Sequence, residues 1–269
     1  MTPASAPARR AGITPVTKVP GLAIRGMRKS FGPTQAVRDV DLDVGPGAFL
    51  GLVGPNGAGK TTLLSMAVGL LRPDQGNAWV AGNPVWPTAG ADRAKQLLGV
   101  LPDGLALPRQ LTGRELLTYV GLLRSMPAAV VAARTGELLN VLDLEAAETT
   151  LIGDYSTGMR KKIGLAAALL HDPRLLVLDE PFESVDPVSA AVVRAILDGF
   201  TAAGGTVLMS SHVMVLVEQL CDHVAVLDHG RVRRAGTLAQ VRAGHSLDDA
   251  FAEIIGARPP ARGLSWFGS

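Results

Sequence analysis

Gly54-Pro55-Asn56-Gly57-Ala58-Gly59-Lys60-Thr61 stands between an apolar run, Phe49-Leu50-Gly51-Leu52-Val53, and a helix-forming run over residues 62–71. Two glycines, four intervening residues and a Lys-Thr ending, set between a strand and a helix, are the requirements of a phosphate-cradling loop. Glycine lets the backbone curl until successive N–H groups face one anion, and the start of the following helix adds roughly half a positive charge. Lys60 then has the reach for the β- and γ-phosphates of a nucleotide, and the Thr61 hydroxyl suits Mg²⁺. Gly54, Pro55, Asn56, Gly57, Ala58, Gly59, Lys60, Thr61 and Thr62 are the candidate nucleotide contacts.

Two more apolar runs, residues 175–178 and 206–209, also read as buried strands with a chemically loaded residue just beyond the C-terminal end. Open parallel sheets bind ligands at that edge. The first run ends in Asp179 and Glu180, adjacent carboxylates able to point at different targets. Asp179 is the candidate Mg²⁺ holder, and Glu180 the candidate general base that orients the attacking water. The second run is followed by Ser210-Ser211-His212. Taken alone, a strand ending in Asp-Glu is common; beside the phosphate loop the two acids acquire a purpose.

A phosphate loop and an acidic strand end serve many nucleotide enzymes, so the family rests on further motifs. Tyr155-Ser156-Thr157-Gly158-Met159, ahead of the basic helical run over residues 160–170, resembles the signature of ATP-binding cassette (ABC) proteins, usually Leu-Ser-Gly-Gly-Gln. Pro181 and Ser184-Val185-Asp186-Pro187 are similar to the D-loop of that family, His212 to its switch histidine, and Phe31 to the aromatic that stacks on adenine. Singly, Ser156 to Gly158 would make an acceptable helix cap, His212 a core histidine and Phe31 ordinary packing. Five motifs in the family's order over residues 21–243 are what these separate explanations lack. The resemblance implies an α/β fold: a P-loop NTPase with an ABC-type β-subdomain and a helical subdomain insertion. It also implies a head-to-tail dimer closed around two ATP molecules, with Ser156 and Gly158 acting in trans and Lys60, Glu180 and His212 serving catalysis. An integral membrane permease would be the partner, and the second cassette a copy of this chain or a paralogous ATPase subunit.

The sequence departs from the family pattern at Asp103, in Leu101-Pro102-Asp103, where a glutamine is usual. A carboxylate can still meet the metal shell, so Asp103 joins Thr61 and Asp179 as a metal candidate, but it reaches about one methylene less far and donates no hydrogen bond. Thr157 replaces the first signature glycine and Met159 the glutamine, which leaves Ser156 and the Gly158 backbone intact.

The remaining composition sets bounds. With 269 residues, 47% of them hydrophobic, the chain can bury a full core, and its single cysteine, Cys221, excludes an internal disulfide framework. Basic residues number 26 and acidic residues 24, a balance that argues for no nucleic-acid partner. Residues 1–20 are rich in proline and alanine and read as a disordered tail, residues 93–170 as the helical insertion, and residues 244–269 as a C-terminal helix and tail. No apolar run approaches the ~20 residues needed to span a bilayer. The expected location is the cytoplasmic face of a membrane, held there by another chain. A soluble ABC ATPase of ribosomes or DNA is the competing reading, and a small-molecule kinase a more distant one. The end of the cassette, residues 231–251, resembles single-cassette subunits that pair with export-type permeases.

Overall fold

The structure is a computed structural model and describes residues 19–86, 91–104 and 106–256. Side-chain alternation along its central strands sorts residues between two cores. In β3 (Phe49–Val53), Phe49 and Val53 enter one core, while Leu50 and Leu52 enter the other. The same alternation holds in β7 (Leu175–Asp179), where Leu176 and Leu178 oppose Leu175 and Val177, and in β8 (Thr206–Ser211), where Val207 and Met209 oppose Leu208. A sheet buried on both faces needs apolar residues at consecutive positions, which is why these strands read as continuous hydrophobic runs.

With β6 (Leu98–Leu101), β9 (His223–Asp228) and β10 (Arg231–Thr237), these strands form a six-stranded sheet in the order β10-β9-β3-β8-β7-β6. Its ladders are parallel except for the antiparallel β9–β10 pair. One face packs on α1 (Lys60–Ala67) and on a second, antiparallel sheet of β1 (Leu22–Phe31), β2 (Thr34–Val44), β4 (Gln75–Val80) and β5 (Asn83–Pro84), ordered β2-β1-β4-β5. Leu22, Ile24, Leu42 and Val80 seal that core.

The other face carries helices. After α2 (Ala91–Gln96) and β6 come α3 (Gly113–Leu123), α4 (Ala128–Val141) and α5 (Thr157–Leu169). α6 (Pro187–Ala202) and α7 (Met214–Leu220) complete this side, and α8 (Leu238–Arg242) and α9 (Leu247–Ile255) close the described chain. Leu117, Leu139, Ile163 and Leu197 from four of these helices join one apolar cluster with Phe49 and Met209. Thr112 caps α3 with a reciprocal Thr112–Glu115 capping box, and Ser156 caps α5 by accepting from the Met159 N–H.

Two expectations shift. The segment read as a helical insertion from residue 93 includes β6, a strand of the main sheet; four apolar residues fit a strand or a buried helix turn equally well until pairing with β7 decides. The consecutive helices α3, α4 and α5 therefore run from residue 113 to residue 169. The helix after the phosphate loop begins at Lys60 and ends at Ala67, short of the expected residue 71, because Gly69 takes φ +84°. Of the proposed tails, residues 1–18 and 257–269 lie outside the described residues, and residues 247–255 form α9.

Candidate functional site

The phosphate loop leaves β3 at Gly54 and enters α1 at Lys60, and its shape depends on glycine at two places. A Cβ on Gly54 would sit 2.2 Å from the Leu227 carbonyl oxygen. One on Gly59, where φ is +103°, would sit 2.3 Å from the Ala36 carbonyl oxygen. The loop is thus pressed between β9 and β2. Gly230 seals it from behind, donating its N–H to Ala58 O (2.9 Å) and accepting from Arg38 N (2.7 Å).

Residues 55–62 line an open cleft of about 340 Å³ together with Ala36, Asp103, Glu180, Glu183 and His212. The parallel register that brings Asp179 opposite Ser210 carries Glu180 and His212 to the same sheet edge as the loop. Lys60 is buried, donates to Gly54 O at 2.8 Å and stands 3.6 Å from Glu180 Oε1. The other oxygen, Oε2, lies 3.0 Å from His212 Nδ1. One carboxylate therefore spans the lysine and the histidine. His212 is exposed at 43%, which disposes of the alternative of a core histidine.

Glu180 adopts φ +47°, a left-handed backbone that costs a non-glycine residue about 1–2 kcal/mol. Three hydrogen bonds hold it there. Its N–H donates to Ser210 Oγ (2.9 Å), and its carbonyl accepts from Glu183 N (3.2 Å) and from Lys161 Nζ (2.9 Å). Ser210 in turn donates its hydroxyl to Asp179 Oδ1 at 2.5 Å. One serine of the neighbouring strand thus ties the Asp179 carboxylate to the Glu180 backbone. The signal for it in the sequence was slight: Ser210 is two residues before His212, and only the β7–β8 register makes it the partner of Asp179.

Asp179 is 4% exposed, and of its two carboxylate oxygens only Oδ1 has a hydrogen bond among the described residues. No group of three or more His, Cys, Asp or Glu suited to a metal occurs among the described residues. Mg²⁺ bound with a nucleotide needs only one or two protein carboxylates besides phosphate and water, so Thr61, Asp179 and Asp103 are an adequate donor set. Asp103 lines the cleft, 48% exposed, with Oδ1 3.7 Å from Lys161 Nζ.

Besides Gly54 and the buried Asp179, which adjoin the lining residues Pro55 and Glu180 in the chain, three candidates do not line this cleft. Phe31 sits where β1 turns into β2, 51% exposed, with the Lys29 ammonium 5.7 Å from its ring centroid. Ser156 and Gly158 begin α5. A Cβ on Gly158 would meet Asp186 Oδ2 at 3.1 Å and Ser189 Oγ at 3.3 Å, so the start of α5 packs on the start of α6. Asp186 caps α6 through Val188 N (3.0 Å) and Ser189 N (2.9 Å). Hydrogen bonding from Ser189 first, and less from Val188, holds the Asp186 carboxyl below the usual range. Sequence reasoning gave no role to Ser210, Lys161, Glu183 or Ala36; Ser210 and Lys161 lie inside runs that were read for other residues.

Comparison with known proteins identifies the family. Residues 37–183 match the family model described as ABC transporter. The Nod factor export ATP-binding protein I of Cupriavidus metallidurans is 37% identical over 210 residues, covering 78% of this chain and 69% of that protein. The daunorubicin resistance ATP-binding protein DrrA3 of Streptomyces coeruleorubidus is 37% identical over 222 residues, covering 82% and 70%. A solved ATP-binding subunit of an ABC transporter superposes with a TM-score of 0.80 at 28% identity, over 87% of this chain and 98% of its own. With a phosphate loop, an acidic strand end and a histidine meeting at one sheet edge, and with relatives this similar, the chain belongs to the ABC transporter family as an ATP-binding and ATP-hydrolysing subunit.

Proposed function

We propose that this chain is the motor of an export-type transporter, closing as a dimer around two Mg-ATP at the cytoplasmic face of a membrane and driving a separate multi-spanning permease. The observation that carries the chemical part is the single carboxylate of Glu180 lying between Lys60 and His212 at the mouth of the phosphate loop. A γ-phosphate entering the loop competes for both cationic or hydrogen-bonding partners and leaves Glu180 free to act on water. Lys60 and the loop N–H groups then hold the β- and γ-phosphates, Phe31 offers an exposed ring to adenine, and His212 contacts the γ-phosphate. Mg²⁺, held by Thr61 and Asp179 with Asp103 near its shell, would offset charge on the phosphates. Ser156 and Gly158 present the start of α5 to the nucleotide of the facing cassette, whether a second copy or a paralogue, a second use of a helix N-terminus for an anion.

Export is supported by the names of relatives, which concern Nod factor export and daunorubicin resistance. A separate spanning chain is supported by the absence, among the described residues, of any helix long and apolar enough to cross a membrane. The test is to tag the chain in its native cell, solubilise membranes gently and assay what co-purifies. A stoichiometric multi-spanning protein, and Mg-ATP turnover in the complex that Lys60→Ala abolishes, are the expected results. Ribosomal or DNA-repair proteins in place of a membrane chain, or turnover no greater than that of Lys60→Ala, would refute the reading.

A further inference from the structure

α5 begins with an electrostatic oddity. Arg160, Lys161 and Lys162 lie in its first two turns, where the helix dipole disfavours cations. Each is tied to an acceptor. Arg160 Nη1 donates to Tyr155 O at 2.5 Å, and Lys162, buried, lies 3.9 Å from Asp143. Lys161 is different because both of its partners belong to the catalytic region. Its side chain is 15% exposed, its ammonium donates to the Glu180 carbonyl at 2.9 Å, and the Asp103 carboxylate is 3.7 Å away.

We propose that Lys161 is a positioning residue for hydrolysis, fixing the backbone of Glu180 and coupling it to the loop that carries Asp103. This rests on Glu180 being the general base. The strained φ of Glu180 needs its carbonyl held, and Lys161 supplies the charge-assisted one of the two bonds to that oxygen. Asp103 compensates the ammonium, so a shift of the Asp103 loop changes how firmly Lys161 grips Glu180. The carboxylate that departs from the family's glutamine is therefore half of an ion pair that a glutamine could not make. Lys161 does not line the phosphate-loop cleft; it lines the adjoining one, with Leu101, Asp103, Thr157 and Glu183. Its loss should leave ATP affinity alone while loosening the base.

The experiment is steady-state ATPase kinetics on the full chain in complex with its membrane partner, for Lys161→Met, Lys161→Arg, Asp103→Gln, the Asp103→Gln/Lys161→Met pair and Glu180→Gln, with thermal melting of each. Lys161→Met is expected to lower kcat roughly tenfold with KM for ATP within about twofold of wild type, the scale of one lost charge-assisted hydrogen bond. Lys161→Arg should recover part of that loss. Asp103→Gln should cost less, and the pair no more than Lys161→Met alone, because both act through one link. The inference is overturned if Lys161→Met keeps wild-type kcat, or if Lys161→Arg and Lys161→Met lose kcat and melting temperature alike, which marks a purely structural lysine. Glu180→Gln separates the two readings. If it turns over like wild type, the base assignment fails and this inference with it; if it is inactive while Lys161→Met is unimpaired, only the positioning role fails.

Discussion

Glu180 carries its carboxylate on a backbone few residues adopt, and the strain is sustained by Ser210, Glu183 and Lys161. Such strain persists only where the surroundings over-determine it, and here they are the neighbouring strand, the turn itself and a helix from the other core. A second residue, outside the cleft, makes stability depend on pH. His171 follows α5, and its ring nitrogen Nε2 donates to Leu98 O at 3.1 Å while Nδ1 is buried with no partner among the described residues. Burial first, and then the charge of Arg124, push its pKa down to about 4. In the unfolded chain a histidine protonates near 6.5, so between pH 6.5 and 4 the unfolded state binds the proton and the folded state does not. The neutral ring's contribution is complete above pH 6.5 and is lost as pH falls toward 4. Urea midpoints should therefore drop over that window in wild type and drop less in His171→Leu. Equal slopes in the two proteins would remove His171 as the cause.

At the scale of elements, the site depends on how closely α3, α4, α5 and α6 approach one another. Gly113 opens α3 against Tyr155 and Ile163, where a Cβ would meet the Tyr155 hydroxyl at 2.7 Å, and Gly158 seats α5 on the capped end of α6. Gly121 brings α3 onto α4, with the stiff side chain of Val131 2.5 Å from where a Cβ would be. Gly121→Val gains little helix propensity and overpacks this contact, so it should destabilise the protein by about 1–3 kcal/mol. Urea denaturation measures the loss, and Val131→Ala in the same background should restore part of it. If Gly121→Val is as stable as wild type, α3 and α4 are not packed as tightly as described. Little of this was legible beforehand. The helical character of the segment and the basic run of α5 show in the sequence, but β6 does not, because four apolar residues carry no period of their own.

For the whole molecule, one chain presents a phosphate loop in one place and a capped signature helix in another, and the cleft residues include neither Ser156 nor Gly158. In the proposed function, two chains arranged head to tail would make good that separation. Glu180→Gln, by slowing hydrolysis by about 10²–10⁴ while sparing the phosphate loop, should accumulate an ATP-dependent dimer visible by light scattering. Ser156→Arg added to it should return the protein to monomer with nucleotide still bound. A dimer indifferent to Ser156→Arg would detach the signature from the interface. Sequence alone determined the phosphate loop, the acidic strand end and the signature, because each depends on residue types at fixed short spacing, and it determined the family through the order of those motifs along the chain. Tertiary structure alone decided that Ser210 joins the Asp179 carboxylate to the Glu180 backbone, that Lys161 reaches the Glu180 carbonyl and Asp103, and that β6 is a strand. Those contacts join residues distant in the chain, and only sheet register and helix packing bring their atoms within hydrogen-bonding range.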